Sequence, residues 1–261
     1  MRGVDLAGLW PVPLDRWLVF WAVAARAAAV TATAPVFGAS FVPGVLRVGL
    51  ALGVSYALWP SVRAPVPPAD LWGDAAFVLG EAVTGLAIGL MSRMAFAAVQ
   101  AMGSLLDLDL GFGAASLLDP ASEQPLPLLG NFMNLFATVV YLLSNAHYVL
   151  LAALAESFRV LPPGTWAAPS FARPLVDAFA AAFLTAVQLA VPVLAASFLV
   201  TVALAVLSRA VPQLNVFLLG LPVKSAVGLL GLALLLPIYA GMMQRLFPAD
   251  AGALLGPLGG G

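Results

Sequence analysis

The chain holds 261 residues, of which 62% are hydrophobic and only 9% charged, and its mean hydropathy is +1.04. An ordinary soluble domain is about 45–50% apolar and about a quarter charged, so this chain lacks the polar surface to cover itself in water; it reads as a membrane-class protein, which excludes most soluble enzymes and disordered regulators. A net charge of -1 and the absence of cysteine remove long-range attraction to nucleic acid, a disulfide framework, thiolate metal sites and cysteine nucleophiles.

In chain order, Ala32-Thr33-Ala34 resembles a small-residue cleavage site behind an apolar run. Asp15 in the would-be basic region and Arg26 inside the apolar stretch oppose a secretory signal, so this segment is expected to stay in the mature protein. Measured against the ~20 residues a spanning helix needs, six apolar segments follow, near 17–34, 42–60, 75–106, 128–155, 176–208 and 216–246. The runs are continuous and Ala/Leu-rich, without the alternation of barrel strands, and proline clusters at 65–68, 125–127 and 162–163 mark loops. The fold class is therefore an all-α, polytopic protein of helical hairpins, with segments five and six kinked or broken by Pro192 and Pro237. If all six segments cross, one side carries Arg2, Arg16, Arg63, Arg159, Arg173 and Arg245, against Arg47, Arg209 and Lys224 on the other. Both termini then read as cytoplasmic.

Arg26, Glu81 and Arg93 lie inside apolar segments, where charge costs at least about 2.5–3.5 kcal/mol and demands a partner or a cavity. Glu81 and Arg93 are too far apart on one helix to pair, so an ion pair with a neighbouring chain is expected for Glu81. Gly49/Gly53 and Gly85/Gly89 are spaced for close helix approach.

The connection "LLDLDLGFGAASLLDPASEQPLP" gathers Asp107, Asp109, Asp119 and Glu123 in a stretch, Met94 to Phe158, that has no Lys or Arg. Leu110, Phe112, Leu117 and Leu118 are out of place in a solvated loop, and four acids are out of place in a spanning helix. Gly111 and Gly113 permit sharp turns, and Asp119-Pro120 starts another. Two readings stand at this point: a re-entrant, plug-like loop lining a cavity, or an acidic external loop with incidental apolar residues.

On segment four, Asn131, Asn134, Thr138, Tyr141, Asn145 and Tyr148 are spaced 3, 4, 3, 4, 3 and predict one polar stripe about 26 Å long. It faces either a wet lumen or polar partners inside a helix bundle. Catalysis has no support. His147 is the lone histidine, Lys224 and Ser225 are adjacent and so diverge on a helix, and no hydrolase, metalloprotease or nucleotide motif is present. No cofactor or metal is expected. The alternative function is a six-helix secondary transporter with its site at broken segments five and six.

The stretch "RAVPQLNVFLLGLPVKSAVGLL" at 209–230 strongly resembles the C-terminal signature of the FliR family of flagellar export-gate proteins and their virulence type III secretion counterparts. "APVFGASFVPGVLRVGLALGVSYAL" at 34–58, with Pro35, Gly38, Pro43 and Arg47, resembles its N-terminal block, and the Glu81/Gly85/Gly89 helix with "GSLLDLDLGFGAASLLDP" resembles its middle. The resemblance implies a FliP-like part at 1–175, containing a plug loop at about 106–127, and a FliQ-like hairpin at 176–261. It further implies a structural, non-enzymatic subunit in the bacterial inner membrane, within a flagellar basal body or secretion apparatus. Its partners would be FliP-like and FliQ-like subunits, with FlhB- and FlhA-like proteins beside them, and no nucleic acid. Unfolded export substrates would pass through the joint channel, driven by a separate ATPase and the proton gradient.

On that footing the plug reading is favoured over the external loop. Asp107, Leu110, Gly111, Phe112, Gly113, Leu117, Asp119 and Pro120 are expected to form the plug, with Leu110 and Phe112 closing the lumen. Glu81, Gly85, Gly89, Arg93, Asn131, Asn134 and Lys224 are expected to serve hairpin and partner packing, and Pro212, Gln213 and Asn215 to form the turn between the last two helices. Some apolar segments would then be covered by partner subunits instead of lipid.

Overall fold

Continuous apolar runs punctuated by proline become helices throughout. The protein, seen as a computed structural model, is described over residues 14–39, 41–63, 71–112, 127–165, 168–211 and 216–259. Its helices are α1 (Leu14–Thr33), α2 (Gly44–Leu58, continued by a 3-10 turn at Trp59–Ser61), α3 (Leu71–Leu110), α4 (Leu128–Leu143), α5 (Ala146–Val160), α6 (Ala168–Ala210), α7 (Val216–Leu246) and α8 (Ala251–Gly259). No strand occurs among the described residues, so the fold is all-α and, by its long apolar helices, polytopic.

Among the described residues three helices, fewer than the six expected segments, are long and apolar enough to cross a membrane, at Trp72–Leu110, Phe171–Ala210 and Leu219–Leu246, and α4 with α5 makes a fourth if that broken pair is one span. The 15 residues of α2 reach only about 22 Å, short of a ~30 Å hydrocarbon core. Arg16 and Arg26 make α1 less apolar than the three. An orientation argued from six crossings therefore loses its basis. α6 and α7 also run on as helix through Pro192, Pro222 and Pro237, so the prolines do not break them. The break falls in segment four instead, at Ser144–Asn145, where Asn145 takes φ 58°. A left-handed residue just past a helix end is the usual stop, and asparagine is the commonest choice after glycine. The expected 26 Å stripe is thereby cut: Tyr141 is buried at the end of α4, while Asn145 and Tyr148 are exposed beyond it.

The described residues fall into two compact units, one of residues 1–93, 146–178 and 248–261, the other of 94–145 and 179–247. In the first, Val23, Ala27 and Val30 of α1 pack with Ile88 of α3, with Leu150, Leu154 and Phe158 of α5, and with Leu255 of α8. Gly85 and Gly89 let α3 lie directly on α1. A Cβ at Gly85 would strike the Arg26 carbonyl and Ala29, and one at Gly89 would strike Thr33 and the Val30 carbonyl. The α1–α2 connection is drawn tight by Arg47, whose Nη2 donates to the carbonyls of Ala39 at 2.8 Å and Val42 at 2.9 Å. Gly38 leaves no room for a side chain against the backbone of Ala32 and Ala34, which gives physical roles to two residues of the 34–58 block.

In the second unit, Phe96, Tyr141 and Phe247 form an aromatic trio with ring centroids 5.1–5.4 Å apart. Met102, Leu106, Met133, Leu189 and Met243 are fully or almost fully buried in this unit. Tyr239 Oη donates to the Leu189 carbonyl at 2.7 Å, joining α7 to α6. Along the same two helices Phe183, Leu199, Leu230 and Leu234 stand exposed, apolar surface that only lipid or another protein's helices can cover.

Candidate functional site

The segment singled out by its four acids begins inside a helix. α3 continues through Leu110, so Asp107 and Asp109 are helical residues and not part of an irregular loop. Their charges are tolerated because each is answered. Asp107 Oδ1 accepts the Leu129 N–H at 2.9 Å and Oδ2 accepts the Gly130 N–H at 3.0 Å. These are free donors of the first turn of α4, so a carboxylate from α3 caps a helix that has only Pro127 at its own cap position. The close fit comes from glycine: Gly103 of α3 lies against the backbone of Leu129 and Gly130, and Gly130 lies against Ser104. Replacing Asp107 by alanine is expected to cost about 1–2 kcal/mol. The check is the thermal midpoint of the detergent-purified protein, with Asp107→Asn intermediate because an amide oxygen still accepts.

Asp109 is held by the last two long helices. Its Oδ1 lies 3.1 Å from Lys224 Nζ of α7, and its Oδ2 accepts the Ser197 hydroxyl of α6. One step on, the Ser225 hydroxyl of α7 lies 2.9 Å from the Leu110 carbonyl, which lacks an intrahelical partner at the end of α3. Leu110 is fully buried and packs over Gly228 of α7. It is thus a core residue of this chain's own second unit and not, as expected, a side chain closing a lumen. Gly111 then ends the helix with φ 83°, its Cα beside Leu221. A left-handed glycine at this place turns the chain out of the helix without strain. Phe112, half-buried, is the last described residue before the connection. Gly113, Leu117, Asp119 and Pro120 lie outside the described residues, as do Pro212, Gln213 and Asn215.

The other residues picked out by sequence divide. Glu81 is buried, and its partner is Arg26 of this same chain, not of a neighbour: Arg26 Nε donates to Oε2 at 2.7 Å. The distance from Arg93 along one helix was the wrong place to seek a partner, since α1 lies across α3 at Gly85. Arg26 also donates to the carbonyls of Ser157 and Leu161 at 2.9 Å each and lies 4.3 Å from the Phe158 ring centre. It so caps the end of α5 while neutralising Glu81. Glu81 Oε1 accepts the Gly164 N–H at 3.1 Å. An open cleft of about 210 Å³ beside this pair is walled by Gly73, Phe77, Gly80 and Thr165. Arg93 is exposed, Asn131 is exposed and Asn134 half-buried on α4. Ser197 and Gly103 were missed by sequence reasoning, and Ser225 was weighed only as a catalytic partner of Lys224. Serines and glycines are common in apolar helices, and only their positions in space set these apart.

Two groups thus stand out from an otherwise apolar molecule: a saturated Arg26–Glu81 staple in the first unit and, in the second, a polar clasp around the end of α3. Residues 17–249 match the family described as bacterial export proteins, family 1. The flagellar biosynthetic protein FliR of Escherichia coli (strain K12) is 32% identical over 242 residues, covering 90% of this chain and 92% of that protein. The flagellar biosynthetic protein FliR of Bacillus subtilis (strain 168) is 34% identical over 241 residues, with 90% and 92% covered. The Yop proteins translocation protein T of Yersinia pestis is 31% identical over 227 residues, with 85% and 84% covered. The chain belongs to this family of bacterial export proteins.

Proposed function

We propose that the chain is a structural subunit of a flagellar or type III protein export gate in the bacterial inner membrane. It would contribute helices to the channel for unfolded export substrates, and the connection after Gly111 would be the plug that closes the lumen. The observation that carries the role is the likeness, over 84–92% of their length, to proteins named for flagellar biosynthesis and for Yop translocation. The long, poorly covered helices α6 and α7 support assembly with other membrane subunits, which we take to be FliP-like and FliQ-like, with FlhA- and FlhB-like proteins beside them. The division into a FliP-like part at 1–175 and a FliQ-like hairpin at 176–261 belongs to the same proposal. Gating is passive: the subunit contributes no reaction, and the plug yields when a polypeptide enters.

For the plug the supporting feature is placement. An apolar, glycine-containing stretch leaves a helix end that is firmly held, which is what a movable closure on a fixed base needs. The transporter reading required broken helices at segments five and six, and α6 and α7 run on as helix through their prolines.

Deleting residues 111–118 in cells that hold the rest of the apparatus tests the plug. The expected result is an assembled gate that leaks ions, read with a membrane-potential dye. A tight membrane around an assembled gate carrying the deletion would refute it.

A further inference from the structure

The 40 residues of α3 reach about 60 Å along the helix, twice the ~30 Å of a hydrocarbon core, so length alone does not say which part of it meets lipid. Its exposed side chains are more selective. In the first unit Trp72, Leu79, Leu86, Leu90 and Arg93 stand exposed on this helix, and at about 100° per residue they share a stripe only about 60° wide. The two acids between its ends, half-buried Asp74 and buried Glu81, fall on the opposite face. The stripe is therefore apolar throughout, closed by an indole at its start and a guanidinium at its finish. Trp72 and Arg93 are about 32 Å apart by helical rise, close to the ~30 Å of the hydrocarbon core. Arg93 pairs with no acid among the described residues.

The rest of the unit keeps the same two levels. Gly85 rests on Arg26 and Ala29, and Gly89 on Val30 and Thr33, so α1 and α3 run parallel, and that register carried back sets Trp72 level with the first turn of α1. There Trp17, Phe20, Trp21 and Trp59 form one cluster with neighbouring ring centroids 5.6–6.2 Å apart. Trp59 Nε1 donates to the Arg16 carbonyl at 3.0 Å, and Trp21, Arg16 and Arg63 stand exposed at this end. The tryptophans of the described residues, Trp17, Trp21, Trp59 and Trp72, thus all gather at one level. Carried forward, the same register sets Arg93 level with the α1–α2 connection, where Phe41 is exposed.

We propose that the stripe of α3 from Trp72 to Arg93 faces phospholipid, with the tryptophan-rich end of the first unit in one headgroup layer and Arg93 in the other. Indoles settle at that level because the ring is apolar and its N–H seeks a polar acceptor. Arg16, Arg63 and Arg93 present cations to the lipid phosphates there, and the leucines between need no partner in the hydrocarbon. Another protein's helix would also cover the leucines, but it gives no reason for indoles and guanidiniums to mark two levels one bilayer apart. The stripe is then outer surface, neither a channel wall nor a seam between subunits. Whatever the export machinery carries, this placement requires only that the chain is inserted in a bilayer.

The test exploits the lack of cysteine. Trp72→Cys, Leu79→Cys, Leu86→Cys and Arg93→Cys are made singly in the full-length chain and expressed in cells holding the whole export apparatus. Each variant is purified in the complex it forms, given a nitroxide label, and reconstituted into vesicles of phosphatidylethanolamine and phosphatidylglycerol. Spin resonance then reads collisions of the label with oxygen, which concentrates in hydrocarbon, and with a water-soluble nickel chelate. The oxygen-to-nickel ratio is expected to be several-fold higher at positions 79 and 86 than at 72 and 93. Few collisions with either reagent at 79 and 86 would reveal a protein cover, and frequent nickel collisions there a wet surface; each result overturns the proposal. If a variant fails to accumulate, the unaltered protein decides. Four of its six tryptophans lie at the one level, so a nitroxide on the lipid headgroup is expected to quench its fluorescence more than one near the end of the acyl chain. Stronger quenching from the chain end, or none from either depth, overturns the placement.

Discussion

Glu81→Ala is expected to lower the stability of the folded protein by about 3–5 kcal/mol, the range for removing one partner of a buried ion pair. The side chains of Arg26 and Glu81 are 1% and 2% accessible, so the charge left behind is largely cut off from water. A further loss acts in the same direction: the Gly164 N–H loses its acceptor, and with it the connection after α5 loses that tie to α3. Arg26→Ala is expected to be at least as damaging. It strands the carboxylate and also releases the Ser157 and Leu161 carbonyls, which close the end of α5. Arg26→Met with Glu81→Leu removes both charges and should recover part of the loss but not all, because the Leu161 carbonyl loses its Arg26 donor in an apolar interior while that of Ser157 keeps only the Leu161 N–H. The measurement is a double-mutant cycle on thermal unfolding in detergent, beside the amount of protein retained in membranes. Additive single effects of under about 1 kcal/mol each would mean that the pair is not coupled as the geometry requires.

Much of the helical architecture was legible because its signal is local: long Ala/Leu runs bounded by proline need no knowledge of the rest of the chain. What the sequence hid is non-local. Arg26 and Glu81 both stood out as charges in apolar runs, yet their pairing joins residues 55 apart, and the nearest basic residue along the helix, Arg93, proved exposed. The helical extent of α3 was underestimated for the same reason. Two acids within three residues argue for a loop unless their compensation is known, and that comes from Leu129, Gly130, Ser197 and Lys224, 22 to 115 residues away. Segment four was misread in the other direction. Asn145 falls on the period-3.6 face, so a helix stop looked like one more member of a stripe. Periodicity reports which face a residue would take if the helix continued, and nothing in it reports that the backbone turns left-handed there.

The two glycine pairs, identical as sequence patterns, are expected to part company under one substitution. Gly89→Val should prevent α3 from seating on α1, because its Cβ would enter the space of Thr33 and of the Val30 carbonyl. Thr33 is β-branched and its hydroxyl is held by the Ala29 carbonyl at 2.7 Å, so it does not swing clear freely, and α3 would have to move outward along a contact that also carries Gly85 and, one turn earlier, Glu81. Strain and a displaced ion pair then act together, and loss of the folded protein from membranes is the expected outcome. Gly49→Val meets nothing within 4 Å, and neither does Gly53→Val, so the chain's own fold should survive with a change within about 0.5 kcal/mol. Folding and assembly separate at this point. Val45, Val48 and Tyr56 are exposed on the same helix, so a change there that spares the fold but abolishes secretion would place the defect in contacts outside this chain. Measuring both quantities for each variant, unfolding midpoint in detergent and substrate secretion in cells, distinguishes the cases. A Gly49→Val protein that fails to fold, or a Gly89→Val protein that folds normally, would contradict the helix packing on which the first unit is built.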